Sequence, residues 1–268
     1  MRLALLSILA LALSACATPQ SLSLERAEQD PWEASNRKIY AFNKDLDSNL
    51  IKPITGVYRT TVPQAGRTAI TNGFSNYGEP QNFFNYLFQG KIKRAFQSLD
   101  RFLINSTLGV GGIADHATAL GRPRQPTDWG QTFAQWGVKS GPFVMLPFFG
   151  PSSLRDGLAT PLDFIVDPSD FVRNATLSPS IFWRGGQVGV RVINVRSRVI
   201  DLGGDGLLAG SLDEYALVRS AWLQNRRAQL YYGNPPLPPE PADQNDEFSD
   251  EFSDEFTPAP ASATPPPQ

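Results

Sequence analysis

The chain carries a single cysteine, Cys16, and the residues before it constrain where anything downstream must fold. Arg2 supplies a short positive n-region, and Leu3 to Leu13 form an apolar run broken only by Ser7. That run falls short of the ~20 apolar residues that a spanning helix needs. It ends in Leu13-Ser14-Ala15-Cys16, the pattern of a bacterial lipoprotein signal peptide. Residues 1–15 are therefore expected to be cleaved and Cys16 to accept diacylglycerol; an ordinary secretory signal with an incidental cysteine is the alternative. Cys16 has no possible disulfide partner in the chain. Each buried methylene contributes ~0.8 kcal/mol and a single acyl chain anchors only marginally, so a fully triacylated cysteine would be a permanent anchor. Ala17 stands where an aspartate would argue for retention at the inner membrane, which points to the outer membrane. The body is thus expected to fold beside a bilayer.

Charge divides the chain. From Glu240 onward there are eight acids and no Lys or Arg. Taking those eight from 26 leaves 18 acids, against 23 bases once Arg2 departs with the signal. A formal net of −2 thus conceals a body of about +5 and a tail of about −8. A basic body suits anionic headgroups or an acidic protein rim. Nucleic acid is not an expected partner at the envelope.

Residues 16–29 read as a polar tether, 30–233 as one domain large enough for a core, and 234–268 as a tail. The tail is rich in Pro, Ala, Ser and acids, with Asp-Glu-Phe-Ser repeated from Asp246 to Thr257. It buries too little apolar surface to offset its ordering entropy and is expected to be disordered. Its spaced Phe248, Phe252 and Phe256 leave a docking role open.

The body reads as mainly α. Ile39, Phe42, Leu46 and Leu50 follow steps of three and four until Pro53 ends the pattern, and Ile92, Phe96, Leu99 and Leu103 do the same before Gly109, Gly111 and Gly112. Pro80 to Gln89 predicts a short helix with Gly90 just past its end. Ser211 and Glu214 form a capping box ahead of Tyr215, Val218 and Trp222. Val188 to Ile200 is rich in β-branched residues, but Arg191, Arg196 and Arg198 do not alternate, so it too reads as helix.

Catalytic chemistry finds little footing. His116 is the sole histidine, which rules out a metal site with paired histidines. No Gly-x-Ser-x-Gly elbow, phosphate-cradling loop or EF-hand spacing occurs. Asp201 and Asp205 among glycines read as an interhelical turn rather than an ion loop, and Asp115-His116 as a surface polar pair. No cofactor is expected, and the chain is not expected to be an enzyme.

Gly141 to Pro151 is the informative segment. Phe143, Val144, Met145, Leu146, Phe148 and Phe149 lie between Gly/Pro brackets, with Pro147 inside. In a soluble protein they would form a buried loop or strand; beside a bilayer they can enter the acyl region. Phe83 and Phe84, on a short helix aromatic on nearly every side, carry the same ambiguity.

Several motifs then occur in order: Asp30-Pro31, Glu33, Asn36-Arg37, Tyr40, Phe42-Asn43, Val62-Pro63-Gln64, Arg67, Glu79-Pro80, Asn85-Tyr86, Gln89-Gly90, Arg101-Phe102 and Asn105 to Gly109. Gly141-Pro142-Phe143 through Leu146-Pro147-Phe148 and Leu154-Arg155-Asp156 complete the set. Together they resemble the MlaA/VacJ family of outer-membrane lipoproteins from Asp30 to about Tyr231. The resemblance implies a helical ring in the plane of the inner leaflet, with a hydrophilic channel that passes headgroups while acyl chains stay in lipid. It implies removal of misplaced phospholipid from the outer leaflet and transfer to the periplasmic carrier of the Mla pathway. It also implies association with a trimeric porin. An envelope scaffold or porin accessory without direct lipid transfer is the competing reading. Asn105, Arg155 and Asp156 are candidates to line the channel.

Overall fold

The computed structural model describes residues 23–165 and 181–236. The expected signal, Cys16, most of the tether and the repeat tail lie outside those residues. The chain separates into two units, residues 1–234 and 235–268, and the architecture below belongs to the first.

The body begins earlier than its composition suggests. Leu24 and the short helix α1 (Glu25–Gln29) were expected in the tether, but Leu24 and Ala27 are buried in the core. A long helical rod follows: α2 (Glu33–Leu46), a π-turn (Asp47–Ile51) and α3 (Lys52–Thr61). Pro53 was expected to end this helix, and it does not. The π-turn immediately before it, with Lys52 N–H bonded to the Asp47 carbonyl five residues back, opens the backbone where the proline lacks a donor.

Next come α4 (Gln64–Tyr77), α5 (Glu79–Phe88) and α6 (Ile92–Thr107). The α5–α6 turn is a Schellman motif: Gly90 takes φ 68°, its N–H reaches Leu87 O, and Lys91 N–H reaches Tyr86 O at 2.8 Å. Helix α7 (His116–Ala119) is capped by Asp115, and α8 (Trp129–Gln135) by Asp128. An antiparallel hairpin of β1 (Phe143–Leu146) and β2 (Gly150–Ser153) pairs Phe143 with Ser153 and Leu146 with Gly150. Helices α9 (Leu154–Ile165), α10 (Ile181–Asp201), α11 (Gly204–Ala209) and α12 (Glu214–Leu230) complete the unit. The segment expected to be helical despite its valines falls within α10. The capping box at Ser211 does not form: Asp213 caps α12 by accepting from Ala216 N–H, while the Ser211 hydroxyl donates to Leu208 O.

One apolar core exists among the described residues. Leu24, Ala27, Ala134, Phe143, Met145, Tyr215 and Leu230 form it, so it joins the chain's first helix, the hairpin and its last helix.

Candidate functional site: an apolar exterior around a polar interior

Helix α6 shows how the rest of the body is built. Its apolar stripe faces outward: Ile92, Phe96 and Leu103 are each more than half exposed. Its polar stripe, Ser98, Arg101 and Asn105, is buried with Ala95. The α10 valines at 188, 192, 195 and 199 are likewise exposed, whereas Asn194 and Ser197 are buried. Among the described residues, 28 large apolar side chains are exposed, while the buried set holds 21 polar or charged residues against 11 apolar ones. Water as the only solvent does not produce that distribution, because each exposed apolar side chain forgoes ~1.5–3 kcal/mol of burial.

The buried polarity is organised. Arg101, 2% exposed, donates to Glu79 (1% exposed) at 2.8 Å and to Asp115 at 3.2 Å. Its remaining hydrogens reach Thr118 Oγ1 and the Arg122 carbonyl. Asn105 completes this knot, donating to Asp115 and accepting from Ala117 N–H. Burial alone would raise the Asp115 carboxyl, but Thr118, Asn105 and Arg101 together hold it below its ordinary value. Asp115 is thus a cap and counter-charge, and His116 is an exposed neighbour outside the knot.

A second polar cluster lies between α8, α9 and α12. Arg226, 5% exposed, bonds Asp128 at 2.7 Å and Asp156 at 2.8 Å, and Asp156 also accepts from Arg155 at 2.9 Å. Burial opposes the Asp156 charge, yet the two arginines keep its carboxyl below the usual range. A cavity of about 210 Å³ opens beside them, lined by Asp128, Ser152, Asp156, Thr160, Asp163 and Arg226 among others. Asp163 accepts from Gln81 and from Trp129 N–H. Burial, then the neighbouring Asp128 charge, pushes its carboxyl up to about 7. Of the three channel candidates, Arg155 and Asp156 therefore share this cluster, whereas Asn105 belongs to the Arg101 knot.

The bracketed apolar segment divides in two. Phe143 and Met145, expected as lipid contacts, are 0% and 1% exposed and belong to the protein core. Strand alternation sends them inward beside Trp222 and Tyr215, and leaves Val144 and Leu146 half-buried on the other face. At the tip, Phe148 and Phe149 are 71% and 62% exposed. Phe148 holds φ 67°, unusual for a bulky residue, and stacks edge-on against Phe42 at 5.5 Å. Two asparagines seven residues apart on α2 hold the hairpin. Asn36 donates to Phe143 O and accepts from Met145 N–H; Asn43 donates to Leu146 O and accepts from Phe148 N–H. Each side-chain amide thereby mimics a strand neighbour. In α5, Phe84 is exposed and Phe83 half-buried, and they stack edge-on at 5.2 Å; Tyr86, opposite, is buried with its hydroxyl on Gln125 O.

Sequence reasoning missed Glu79, Arg101, Asp128, Asp163 and Arg226 as interior groups. The missing signal was the phase of the polar residues on α6, which alternate with its apolar stripe as regularly as the apolar residues do. Asp201 and Asp205 pair with Arg59, Arg67, Lys52 and Arg196, as befits a turn between helices. No group of three potential metal ligands occurs among the described residues. No described helix is long and apolar enough to cross a membrane.

Known proteins share this arrangement. The chain is 32% identical over 210 residues to the intermembrane phospholipid transport system lipoprotein MlaA of Escherichia coli K12, covering 75% of this chain and 78% of that one. It is 33% identical over the same length to the protein of that name from Shigella flexneri, again covering 75% and 78%. A solved structure reported as the "Structural basis for maintenance of bacterial outer membrane lipid asymmetry" superposes with a TM-score of 0.60 at 32% identity, covering 75% of this chain and 98% of that one. The family described as MlaA lipoprotein matches residues 28–229, and this chain belongs to it.

Proposed function

We propose that this protein works in intermembrane phospholipid transport: it withdraws misplaced phospholipid from the outer leaflet of the outer membrane and so maintains lipid asymmetry. The carrying observation is the reversed polarity of α6 and α10, apolar outside and polar within. A phospholipid leaving a bilayer must keep its headgroup away from hydrocarbon, where an unsatisfied polar group costs several kcal/mol. A body whose outer stripes dissolve in acyl chains and whose interior is polar supplies that separation. Arg155 and Asp156 would face the headgroup from the cavity, and Phe148, Phe149 and Phe84 would meet acyl chains. Acylated Cys16 would hold the body at the inner leaflet of the outer membrane as a ring in the membrane plane. In this reading a trimeric porin flanks it and a periplasmic carrier receives the lipid. The chain's groups bind and guide lipid; none is assigned a bond-breaking role.

The test is lipid movement from vesicles containing the full-length protein to a soluble acceptor, with protein-free vesicles as control. Protein-dependent movement is expected. Equal rates with and without it would sink the transport reading and favour a scaffold. Cys16→Ser should leave an unprocessed precursor that no longer fractionates with the outer membrane; normal maturation of that variant would refute the anchor.

A further inference from the structure

Most arginines of the body have an acidic partner, and three conspicuously do not. Arg124, Arg191 and Arg198 make no hydrogen bond or ion pair among the described residues. Two of them lie on one stripe of α10. Arg191 and Arg198 stand two turns apart with Asn194 between them, and Asn194 is buried, bonded to Tyr58 and Thr71 of α3 and α4. That stripe is therefore the inward side, opposite the exposed valines at 188, 192, 195 and 199. The third arginine comes from a different part of the chain. Arg124 sits on the extended segment before α8, which is pinned to α5 and α6: Tyr86 donates to Gln125 O, Arg94 to the Gln125 side chain, and Gln89 to Thr127.

The electrostatics bring the three together. Arg124 keeps exposed surface, yet burial by surrounding protein lowers its pKa. Glu79 opposes that shift, while Arg191, Arg101 and Arg198 deepen it. A side chain that is both wetted and crowded lines a recess rather than an outer surface. The carboxylates nearby are already committed. Glu79 and Asp115 bond Arg101, Asp100 bonds Arg122, and Asp201 bonds Arg59 and Arg67. A recess with three uncommitted guanidinium groups presents planar donors matched to a tetrahedral oxyanion.

We propose that Arg124, Arg191 and Arg198 form an anion site that holds the phosphodiester of a lipid headgroup, and that it favours net-anionic headgroups over zwitterionic ones. This rests on the phospholipid-transport reading and sharpens its substrate class. The phosphate supplies the counter-charge that the protein withholds. An ethanolamine ammonium beside it would be repelled by the same arginines, whereas a glycerol headgroup adds no positive charge.

The full-length protein in neutral detergent is challenged with phosphatidylglycerol, phosphatidylethanolamine or diacylglycerol in mixed micelles, and retained lipid is read by native mass spectrometry. Phosphatidylglycerol should be held about tenfold more tightly than diacylglycerol, in line with a charge-assisted contact, with phosphatidylethanolamine between them. The R124Q/R191Q/R198Q variant should compress that order to within about twofold; a K93Q/K139Q control should leave it intact. Because the three arginines lack protein partners, the lipid-free triple variant should melt no lower than the parent. A marked fall in melting temperature would show them to be structural and overturn the site, and the single R124Q variant must show the same direction of lipid loss. Survival of the order in the triple variant would also overturn it, as would diacylglycerol held as well as phosphatidylglycerol. Inorganic phosphate matching phosphatidylglycerol in affinity would reassign the site to the free ion. Retention of no phospholipid at all by the parent would instead count against the transport reading itself.

Discussion

The core that joins α1, β1 and α12 and the shell formed by α6 and α10 obey opposite rules within one chain. In the core, Phe143, Met145 and Leu230 are buried as in any water-soluble domain. In the shell, Phe96 and the α10 valines face out while Arg101 and Asn194 face in. The same hydrophobic effect explains both if the two regions meet different solvents. Apolar area is removed from water in each case, by protein in the first and by acyl chains in the second. Periodicity alone marks an amphipathic helix without saying which side is inside.

The contrast can be broken first at its polar centre. Arg101→Ala leaves Glu79 charged in a site that is 1% exposed, and removing one partner of such a pair costs ~3–5 kcal/mol. A large drop in melting temperature in detergent is expected; a small one would mean that water reaches Glu79. Next, Phe143→Ala should cost ~3–5 kcal/mol as a core cavity, whereas Phe148→Asp should leave the fold near its parental stability and impair lipid movement. A folded Phe148→Asp protein with undiminished lipid movement would remove the tip from the lipid surface.

A smaller effect reads out Asp163. Its folded pKa, raised to about 7, lies above the unfolded value of ~3.9. The neutral form is favoured by folding, so its contribution is fully present below pH ~4 and is lost as pH rises to about 7. Asp163→Asn should raise the melting temperature at pH 8, leave it unchanged at pH 4, and flatten the profile between. A variant no more stable than the parent at pH 8 would show the carboxylate to be well solvated. The smallest change is expected at Phe96. Phe96→Gln should shift stability in detergent by no more than ~0.5 kcal/mol while reducing the need for detergent. A core-sized loss there would place Phe96 against protein and collapse the comparison.

Much of the helical framework was legible, because steps of three and four survive whichever solvent a helix faces. The Gly90 turn was readable from the residue's φ freedom, and α10 from arginines that refuse to alternate. Three things were not. The hairpin was hidden because Phe143 to Phe149 is a continuous apolar run, and only the amides of Asn36 and Asn43, more than 100 residues earlier, decide which residues pair. The start of the body at Leu24 was hidden because a single buried leucine among polar residues has no period. The interior charges were hidden because Glu79, Asp128, Arg101 and Arg226 read locally as ordinary surface residues, and their partners come from distant elements.

The π-turn before Pro53 also acts as a phase corrector. Phe42, Leu46, Leu50 and Ile54 recur every four residues, and a straight α-helix turns ~40° past a full circle at each such step. Over three steps the stripe would wind ~120° around the rod and carry Ile54 to another side. One surplus residue in the Asp47–Ile51 turn takes back ~100° of that rotation. Phe42, Leu50 and Ile54 accordingly remain exposed together. Deleting any one residue between 47 and 51 would restore plain α geometry and swing everything from Pro53 to Thr61 by that angle. A single codon at a solvent-accessible position would then reorient half a helix, with buried Thr55 turned out of the protein and Ile54 carried away from its neighbours.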